Sequence, residues 1–235
     1  MITQLGVPED SLSLSIPTRS GQRKAVEIQG NKIDPALILA RPQSAPALQG
    51  YLIAADNLLL GKPWSSRRVY VTSPAAGDGK TCASFNLAWA LSLRTESVLL
   101  VELNFGRPEF RSVLGNLHLW NGIDCALRGS AKPADSVFSM GTHGLDVCAV
   151  KEAAGQRDQH LERLDAFLDW CGERYDWLVL DCPPVFSREW QHWSRQNASP
   201  ILMVVREGKT PEVTVRKAVD VLGSHLKGVL LNDCG

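Results

Sequence analysis

A short apolar run that leads into a glycine-bearing loop, a lysine and a threonine constrains the fold of this chain most strongly. Residues 68–91 read RVYVTSPAAGDGKTCASFNLAWAL, so that a β-rich run is followed by a loop and then by a helical pattern. Gly77 and Gly79 can adopt backbone angles that are closed to other residues, and N–H groups at a helix start attract anions. The pattern predicts a phosphate-binding loop in which Lys80 reaches the β- and γ-phosphates and Thr81 binds Mg²⁺.

The loop departs from the full phosphate-loop template at one place, because Pro74 stands where the template has a glycine six residues before the lysine. The alternative is an ordinary strand–turn–helix with a solvated lysine. The alternating strand before the loop and the amphipathic helix predicted after it favour a nucleotide site. We therefore take the stretch from Gly77 to Cys82, with Asp78 and Gly79 inside it, as the candidate ATP- or ADP-binding segment.

Length and composition predict one packed domain with an N-terminal arm. The chain has 235 residues, of which 44% are hydrophobic, and this is enough for a sizeable core. Residues 1–46 are rich in Ser, Pro, Gln and Gly and are predicted to form a flexible arm, with Ala36–Ala40 as a candidate docking segment. Residues 47–235 are predicted to form the nucleotide-binding domain.

Charge and cysteine usage narrow the class of protein. The chain has 25 Lys and Arg residues and 25 Asp and Glu residues, so it has no net positive charge that would favour binding to nucleic acid. The six cysteines lack the paired spacing of a metal site and are typical of a reduced, cytoplasmic protein. No run reaches the ~18 apolar residues of a membrane span, so any association with the inner membrane is expected to run through a partner.

Strand and helix patterns alternate from Arg68 onwards, which predicts an open α/β sheet, mostly parallel, with helices on both faces. Predicted strands are Arg68–Thr72, Ser97–Leu103, Leu145–Val150, Trp177–Asp181, Ile201–Val205 and Gly228–Leu231. Predicted helices are Ala47–Leu60, Lys80–Arg94, Pro108–Leu114, His160–Arg174 and Pro211–Ser224. Ligands of such sheets lie beyond the carboxyl ends of the strands.

Two carboxylates are predicted at that edge of the sheet. Asp181 ends the apolar run LVLD and is followed by two prolines, which cannot continue a strand ladder. Glu102 and Asn104 follow the run VLLV and alternate with Leu103, so both are expected on one side of the strand. A P-loop needs a carboxylate near its Mg²⁺, which makes Asp181 and Glu102 candidates; plain polar strand ends are the alternative.

Taken together, the motifs VYVTSPAAGDGKT, VLLVELNFGRPEF, YDWLVLDCPPV, VVREGKT and KGVLLND resemble the bacterial tyrosine kinases of capsular and exopolysaccharide systems. These are P-loop proteins related to the deviant-Walker partition and septum-site ATPases. The resemblance covers about residues 45–235. It implies ATP·Mg²⁺ binding beside a membrane-bound polysaccharide co-polymerase, with Lys80 and Thr81 as phosphate and metal residues and Asp181 as a metal carboxylate. It also places Asn232 near the adenine base, which its own sequence context does not indicate.

Departures from the family pattern bear on activity. The family motif Asp-x-Asp-x-x-Arg is here Glu102, Asn104 and Arg107. The longer Glu102 side chain shifts its carboxylate by about 1 Å, an error that can cost ~100-fold in a positioned reaction. Asn104 cannot act as a base. We expect a degenerate member with weak or no kinase activity, in which Lys80, Glu102 and Asp181 are the candidate catalytic residues and Thr81, Glu102 and Asp181 the candidate metal ligands.

Two family features used between subunits are missing. The family's C-terminal tyrosine cluster is absent, since the chain holds only Tyr51, Tyr70 and Tyr175. The charged Glu-x-x-Arg-x-x-Arg helix is replaced by the uncharged stretch from Gln49 to Ala55. We therefore expect a monomer or weak oligomer.

The motifs and the resemblance are compatible with three functions. The first is a nucleotide-binding regulator of exopolysaccharide assembly, and the second is an active tyrosine kinase that acts on a partner. The third is a partition-type ATPase, which usually carries a lysine where this chain has Ala75. Trp190 and Trp193 are either core residues or part of a protein-binding face. A scaffold that binds a partner through this face and binds no nucleotide is the least favoured hypothesis.

Overall fold

The computed structural model describes residues 37, 48–61, 67–114, 121–141, 143–153, 161–190 and 199–232. Its helices are α1 (Leu48–Leu60), α2 (Lys80–Ser92), α3 (Phe110–Val113), α4 (Ile123–Arg128), α5 (Leu164–Gly172) and α6 (Glu212–Leu222). Its strands are β1 (Arg68–Thr72), β2 (Val98–Glu102), β3 (Phe138–Ser139), β4 (Leu145–Cys148), β5 (Trp177–Asp181), β6 (Ile201–Arg206) and β7 (Leu226–Asn232). Single 3₁₀ turns occur at Pro133–Ser136, Leu161–Arg163 and Gly223–His225.

The described strands form one sheet in the order β3-β4-β2-β5-β1-β6-β7. All neighbouring pairs are parallel except β3 with β4. In the centre of the sheet, Asp181 of β5 pairs with Val71 of β1 on one side and with Glu102 of β2 on the other. The carboxyl ends of three central strands therefore meet at one place, as predicted for the ligand edge of an open α/β sheet.

Apolar cores cover both faces of the sheet, which confirms the predicted architecture. One core contains α2 with Val69, Val71 and Val179, and the helix α1 packs on it. The other contains residues of α4, α5 and α6 with Leu99, Leu178 and Leu180. The alternating residues of each strand thus face opposite cores, as the two-residue repeat of a strand requires.

Helix α2 differs from the amphipathic helix that its sequence predicts. Every residue of α2 except Cys82 is buried. The reason is that α1 lies against α2 on the side away from the sheet and contributes partly buried side chains such as Leu48, Leu52 and Leu59 to the same core.

The edge strand β7 also departs from the expected burial on both faces. Its residues alternate between half-buried and exposed, with Val229 at 45% and Leu231 at 70% exposure. Strand β7 pairs only with β6 among the described strands, so one long side of it lies at the margin of the sheet.

Of the predicted N-terminal arm, Leu37 alone is described. Its side chain is 1% exposed and belongs to the core that α1 and α2 share. The other residues of the predicted arm lie outside the described residues, so the division at residue 46 stays a prediction.

Candidate functional site

The loop between β1 and α2 has the backbone shape that its glycines predict. Gly77 and Gly79 have φ angles of 85° and 84°, in the left-handed region that glycine adopts at little cost. Helix α2 begins at Lys80, immediately after Gly79. First-turn N–H groups of a helix have no intrahelical acceptor, so this end of α2 offers backbone donors and a positive dipole end to an anion.

The Asp78 side chain stabilises this loop through two hydrogen bonds. Its Oδ2 accepts a hydrogen bond from the Ala75 N–H at 2.9 Å, and its Oδ1 accepts one from the Thr210 hydroxyl at 2.8 Å. The side chain is nearly buried. Its carboxylate therefore holds the loop to the β6–α6 connection, and the predicted role of Asp78 in nucleotide binding stays a prediction.

Asn232 lies at the same loop although it is 154 residues from Asp78 in sequence. Its Nδ2 donates to the Asp78 carbonyl at 3.0 Å. Arg206, which pairs with Asn232 across β6 and β7, donates from Nη1 to the Gly77 carbonyl at 3.4 Å. The ends of β6 and β7 therefore flank the phosphate loop, and the predicted place of Asn232 near the adenine base stays a prediction.

Asp181 and Thr81 are brought together at the start of α2. Asp181 is fully buried; its Oδ2 accepts a bond from the Thr81 hydroxyl at 2.9 Å and its Oδ1 one from Ser84 at 2.9 Å. Burial raises the pKa of Asp181 to about 6, although Lys80 and the two hydroxyl donors favour its charged form. Sequence reasoning missed Ser84; its position three residues after Thr81 on one helix face was the available signal.

Glu102 is tied to backbone groups. It is fully buried; Oε1 accepts from the N–H groups of Glu109 and Phe110, and Oε2 accepts from the Val150 N–H at 2.9 Å. Burial raises the pKa of Glu102 to about 8, against the opposing effect of these N–H donors. The carboxylate thus joins the end of β2 to the start of α3 and to the segment after β4. Its predicted catalytic and metal roles stay predictions.

Asn104 shapes the loop that follows β2. Its Nδ2 donates to the Arg107 carbonyl at 2.8 Å, and Asn104 is nearly buried. The Arg107 side chain is 76% exposed and lies 3.8 Å from a Glu109 carboxylate oxygen. The loop is therefore closed internally by Asn104 and anchored at its far end by Glu102.

A cleft of about 390 Å³ opens between this loop and Lys80. Its charged lining residues are Lys80, Arg107, Glu109, Arg188 and Glu189. The cleft is therefore the space in front of the P-loop lysine, where groups of both charge signs meet.

Trp190 is a core residue. It is 2% exposed and packs in the core that contains α5 and α6. Trp193 lies outside the described residues, so the predicted paired tryptophan face stays untested. Phe186, which precedes Trp190 in the segment after β5, is 45% exposed.

Two of the three tyrosines are inaccessible. Tyr70 is 3% exposed and lies within the sheet, and Tyr175 is 7% exposed and donates its hydroxyl hydrogen to Asp146 Oδ2 at 2.7 Å. Tyr51 is half-buried on α1. The stretch that replaces the charged family helix motif also lies on α1, where Ala55 is fully buried.

Comparison with known proteins finds similarity to bacterial tyrosine-protein kinases. No family model matches it. It is 23% identical over 227 residues to the tyrosine-protein kinase Wzc of Salmonella typhimurium, which covers 93% of this chain and 30% of Wzc. The chain thus spans about a third of the length of the first curated kinases it matches.

Solved structures with the same fold include kinase domains and a cell-division ATPase. The kinase domain of Escherichia coli Etk superposes with a TM-score of 0.74 at 21% identity, over 86% of this chain and 81% of that one. The VpsO kinase domain gives 0.71 at 26% identity, over 80% and 95%. The septum site-determining protein MinD of Pyrococcus horikoshii, complexed with Mg-ADP, gives 0.58 at 19% identity, over 72% and 71%. The chain is therefore similar to bacterial tyrosine-protein kinases, as its motifs indicated, and it has the fold of their kinase domains.

Proposed function

We propose that the chain binds ATP or ADP with Mg²⁺ in the loop from Gly77 to Cys82. The observation that carries this proposal is the hydrogen bond between the Thr81 hydroxyl and Asp181 at the start of α2. It joins the hydroxyl after the P-loop lysine to a carboxylate from a neighbouring strand, which is the pairing that P-loop nucleotide sites use. The similarity to a MinD that was solved with Mg-ADP supports the choice of ligand.

The donor set fits a magnesium ion. Thr81 and Asp181 offer a hydroxyl and a carboxylate oxygen, and hard oxygen ligands are those Mg²⁺ prefers. Bound Mg²⁺ would neutralise charge on the β- and γ-phosphates. Glu102 fits this role less well, because both of its oxygens accept backbone hydrogen bonds. We propose that Glu102 holds the loop after β2, while Thr81 and Asp181 serve the metal.

We further propose that nucleotide occupancy regulates exopolysaccharide or capsule biosynthesis and export, with weak kinase activity at most. Asn104 offers an amide rather than a carboxylate, and it is already engaged with Arg107. Tyr70 and Tyr175 are buried, so the chain itself holds few accessible tyrosines. A ligand that favours one conformation shifts the population that a partner recognises.

The partner in this proposal is a membrane-bound polysaccharide co-polymerase at the inner membrane, met from the cytoplasmic side. The similarity to Wzc and Etk supports it. Among the described residues, no helix combines the length and apolar character needed to cross a bilayer.

An active tyrosine kinase that acts on a partner is the second candidate. The observation that favours it is the cleft of about 390 Å³ in front of Lys80, which has room for an acceptor side chain. A partition-type ATPase is a third candidate, favoured by the MinD-like fold, but Ala75 stands where that class carries its extra lysine.

Calorimetric titration with ATP·Mg²⁺ and ADP·Mg²⁺ tests the nucleotide site. We expect micromolar dissociation constants for the unmodified chain and a loss of about 100-fold or more in Lys80→Ala, because a buried cation at the phosphates is removed. Lys217→Ala is the matched control, since it removes the same charge from an exposed position on α6. Binding weaker than about millimolar in the unmodified chain would refute the nucleotide proposal.

Labelled ATP with the purified co-polymerase partner separates the regulator from the kinase. The regulator proposal predicts slow phosphate release, little label on the partner, and a partner interaction that depends on bound nucleotide. Rapid transfer of label to partner tyrosines would instead establish the second candidate.

A further inference from the structure

The cleft in front of Lys80 places carboxylates where a nucleophile would approach a bound γ-phosphate. Transfer of that phosphoryl group needs a residue that orients the attacking O–H group and receives its proton. Asn104 lines the cleft, but its amide nitrogen donates to the Arg107 carbonyl, and an amide cannot take a proton near neutral pH.

Most acidic groups near the loop are already engaged. Asp181 accepts bonds from Thr81 and Ser84, and Asp78 accepts bonds from Ala75 and Thr210. Glu102 is fully buried beneath its three backbone donors. Of the described acids, Glu109 and Glu189 are those whose side chains line the cleft with Lys80.

Glu109 is the better placed of the two. Its backbone N–H donates to Glu102, the β2 residue that pairs with Asp181 of β5, so Glu109 lies at the edge of the sheet where Asp181 meets Thr81. Glu189 lies over the loop instead, because its Oε1 occupies the space that a Cβ added at Gly106 would need. The contact from Arg107 to Glu109 is long, at 3.8 Å, and exposed, so it holds the carboxylate weakly.

The backbone around Glu109 is fixed while its side chain projects into the cleft. Its own N–H and that of Phe110 donate to Glu102, and Asn104 closes the preceding turn on Arg107. Residues with a fixed backbone and a side chain in the cleft are suited to present a group to a substrate.

We propose that Glu109 is a catalytic residue that accepts the hydrogen bond, and then the proton, of an oxygen nucleophile attacking the γ-phosphate. The nucleophile's oxygen forms a bond to phosphorus, the bond from phosphorus to the β–γ bridging oxygen breaks, and ADP leaves with that electron pair. The O–H proton passes to the Glu109 carboxylate. The nucleophile is water or a protein hydroxyl, which share this chemistry. The assignment rests on the proposed nucleotide site.

Glu109→Gln tests the assignment in the full chain, since it keeps the backbone N–H that Glu102 binds. The first readout is calorimetric binding of ADP·Mg²⁺ with and without fluoroaluminate, which mimics the transferring phosphoryl group with its attacking oxygen. We expect Glu109→Gln to bind ADP·Mg²⁺ with unchanged affinity. Its affinity for ADP·Mg²⁺ with fluoroaluminate should fall about tenfold or more, because one charge-assisted hydrogen bond is lost. Glu189→Gln is the comparison variant, and we expect less than about a threefold change from it.

Turnover gives the second readout. Phosphate release reports water as nucleophile, and label on the co-polymerase reports a protein hydroxyl. We expect Glu109→Gln to reduce the rate of phosphate release, or of labelling, by about 100-fold, towards the rate measured for Lys80→Ala. Equal effects of both glutamine variants, or none from Glu109→Gln, would overturn the assignment. If the unmodified chain binds nucleotide but turns over ATP no faster than Lys80→Ala, the Glu109 assignment is overturned while the proposed nucleotide site remains. If the unmodified chain does not bind ADP, the proposed function itself fails.

Discussion

Replacing Glu102 with alanine is expected to lower the free energy of unfolding by roughly 3 kcal/mol or more, because three N–H donors lose their acceptor and each such unpaired group costs at least ~1 kcal/mol. The donors belong to Glu109, Phe110 and Val150, and Glu102 is fully buried among them. The variant also opens a cavity at the end of β2, which adds to the loss. Urea denaturation followed by circular dichroism measures the change.

Two comparisons make the Glu102 result specific. Glu102→Gln keeps one acceptor oxygen and should lose less, whereas Glu96→Ala, at an exposed position, should change stability by less than about 0.5 kcal/mol. A loss below about 1 kcal/mol in Glu102→Ala would show that the backbone donors do not depend on this carboxylate.

The raised pKa of Glu102 adds a pH dependence to the same experiment. A carboxyl whose pKa is higher in the folded state than in the unfolded chain stabilises the fold most at low pH, and this contribution is lost as pH rises through the folded value. With a folded pKa of about 8 against 4.5, the Glu102 contribution should decline from about pH 5 to pH 8. Asp181, with a pKa of about 6, adds to the decline below neutral pH. Glu102→Ala should show a flatter profile.

The second large effect is expected at Asp181. In Asp181→Asn the buried carboxylate is replaced by an amide, so the variant should lose most of the gain in ATP affinity that Mg²⁺ provides, about 100-fold at 1 mM metal. ATP affinity without Mg²⁺ should change little, because Lys80 and the loop N–H groups are retained. Calorimetric titration with and without the metal measures both values.

Ser84→Ala is the matched control for Asp181→Asn. It removes the donor to the other Asp181 oxygen and keeps the carboxylate and its Thr81 partner. A change of less than about tenfold is expected, consistent with the loss of a supporting hydrogen bond. Equal Mg²⁺ dependence in the unmodified chain and in Asp181→Asn would exclude Asp181 as the metal carboxylate.

Elements with long apolar runs could be predicted from sequence almost to the residue. The predicted strands at Arg68–Thr72 and Trp177–Asp181 have the observed bounds. The predicted helix at Pro108–Leu114 is shorter in the structure, where Phe110–Val113 is helical. Pro108 cannot donate to a helix ladder, and Glu102 caps the N–H groups of Glu109 and Phe110.

Short elements escaped prediction. Helix α4 has six residues and ends at Gly129 with a φ of 78°, and β3 has two residues that pair antiparallel with β4. A six-residue helix has fewer than two turns and a two-residue strand has a single repeat, so neither gives a periodic pattern and tertiary contacts decide both. Helix α5 begins at Leu164, after a 3₁₀ turn, and the predicted start at His160 lies outside the described residues.

The approach of Asp181 to Thr81 was predictable, since the carboxyl ends of parallel strands meet at one edge. The partners of Glu102 were not, because backbone N–H groups from 7, 8 and 48 residues away in sequence carry no residue signature. Glu109 attracted no attention in the sequence for the same reason: its place in the cleft with Lys80 depends on how the preceding loop closes.

A structure of the chain solved with ADP and Mg²⁺ is the direct test of the proposed nucleotide site. The proposed site predicts the diphosphate against the N–H groups of Gly77 to Thr81, with Lys80 on the phosphates and the Thr81 hydroxyl oxygen on the metal. A diphosphate bound elsewhere, or a metal ion without the Thr81 hydroxyl oxygen among its ligands in crystals saturated with ADP·Mg²⁺, would contradict it.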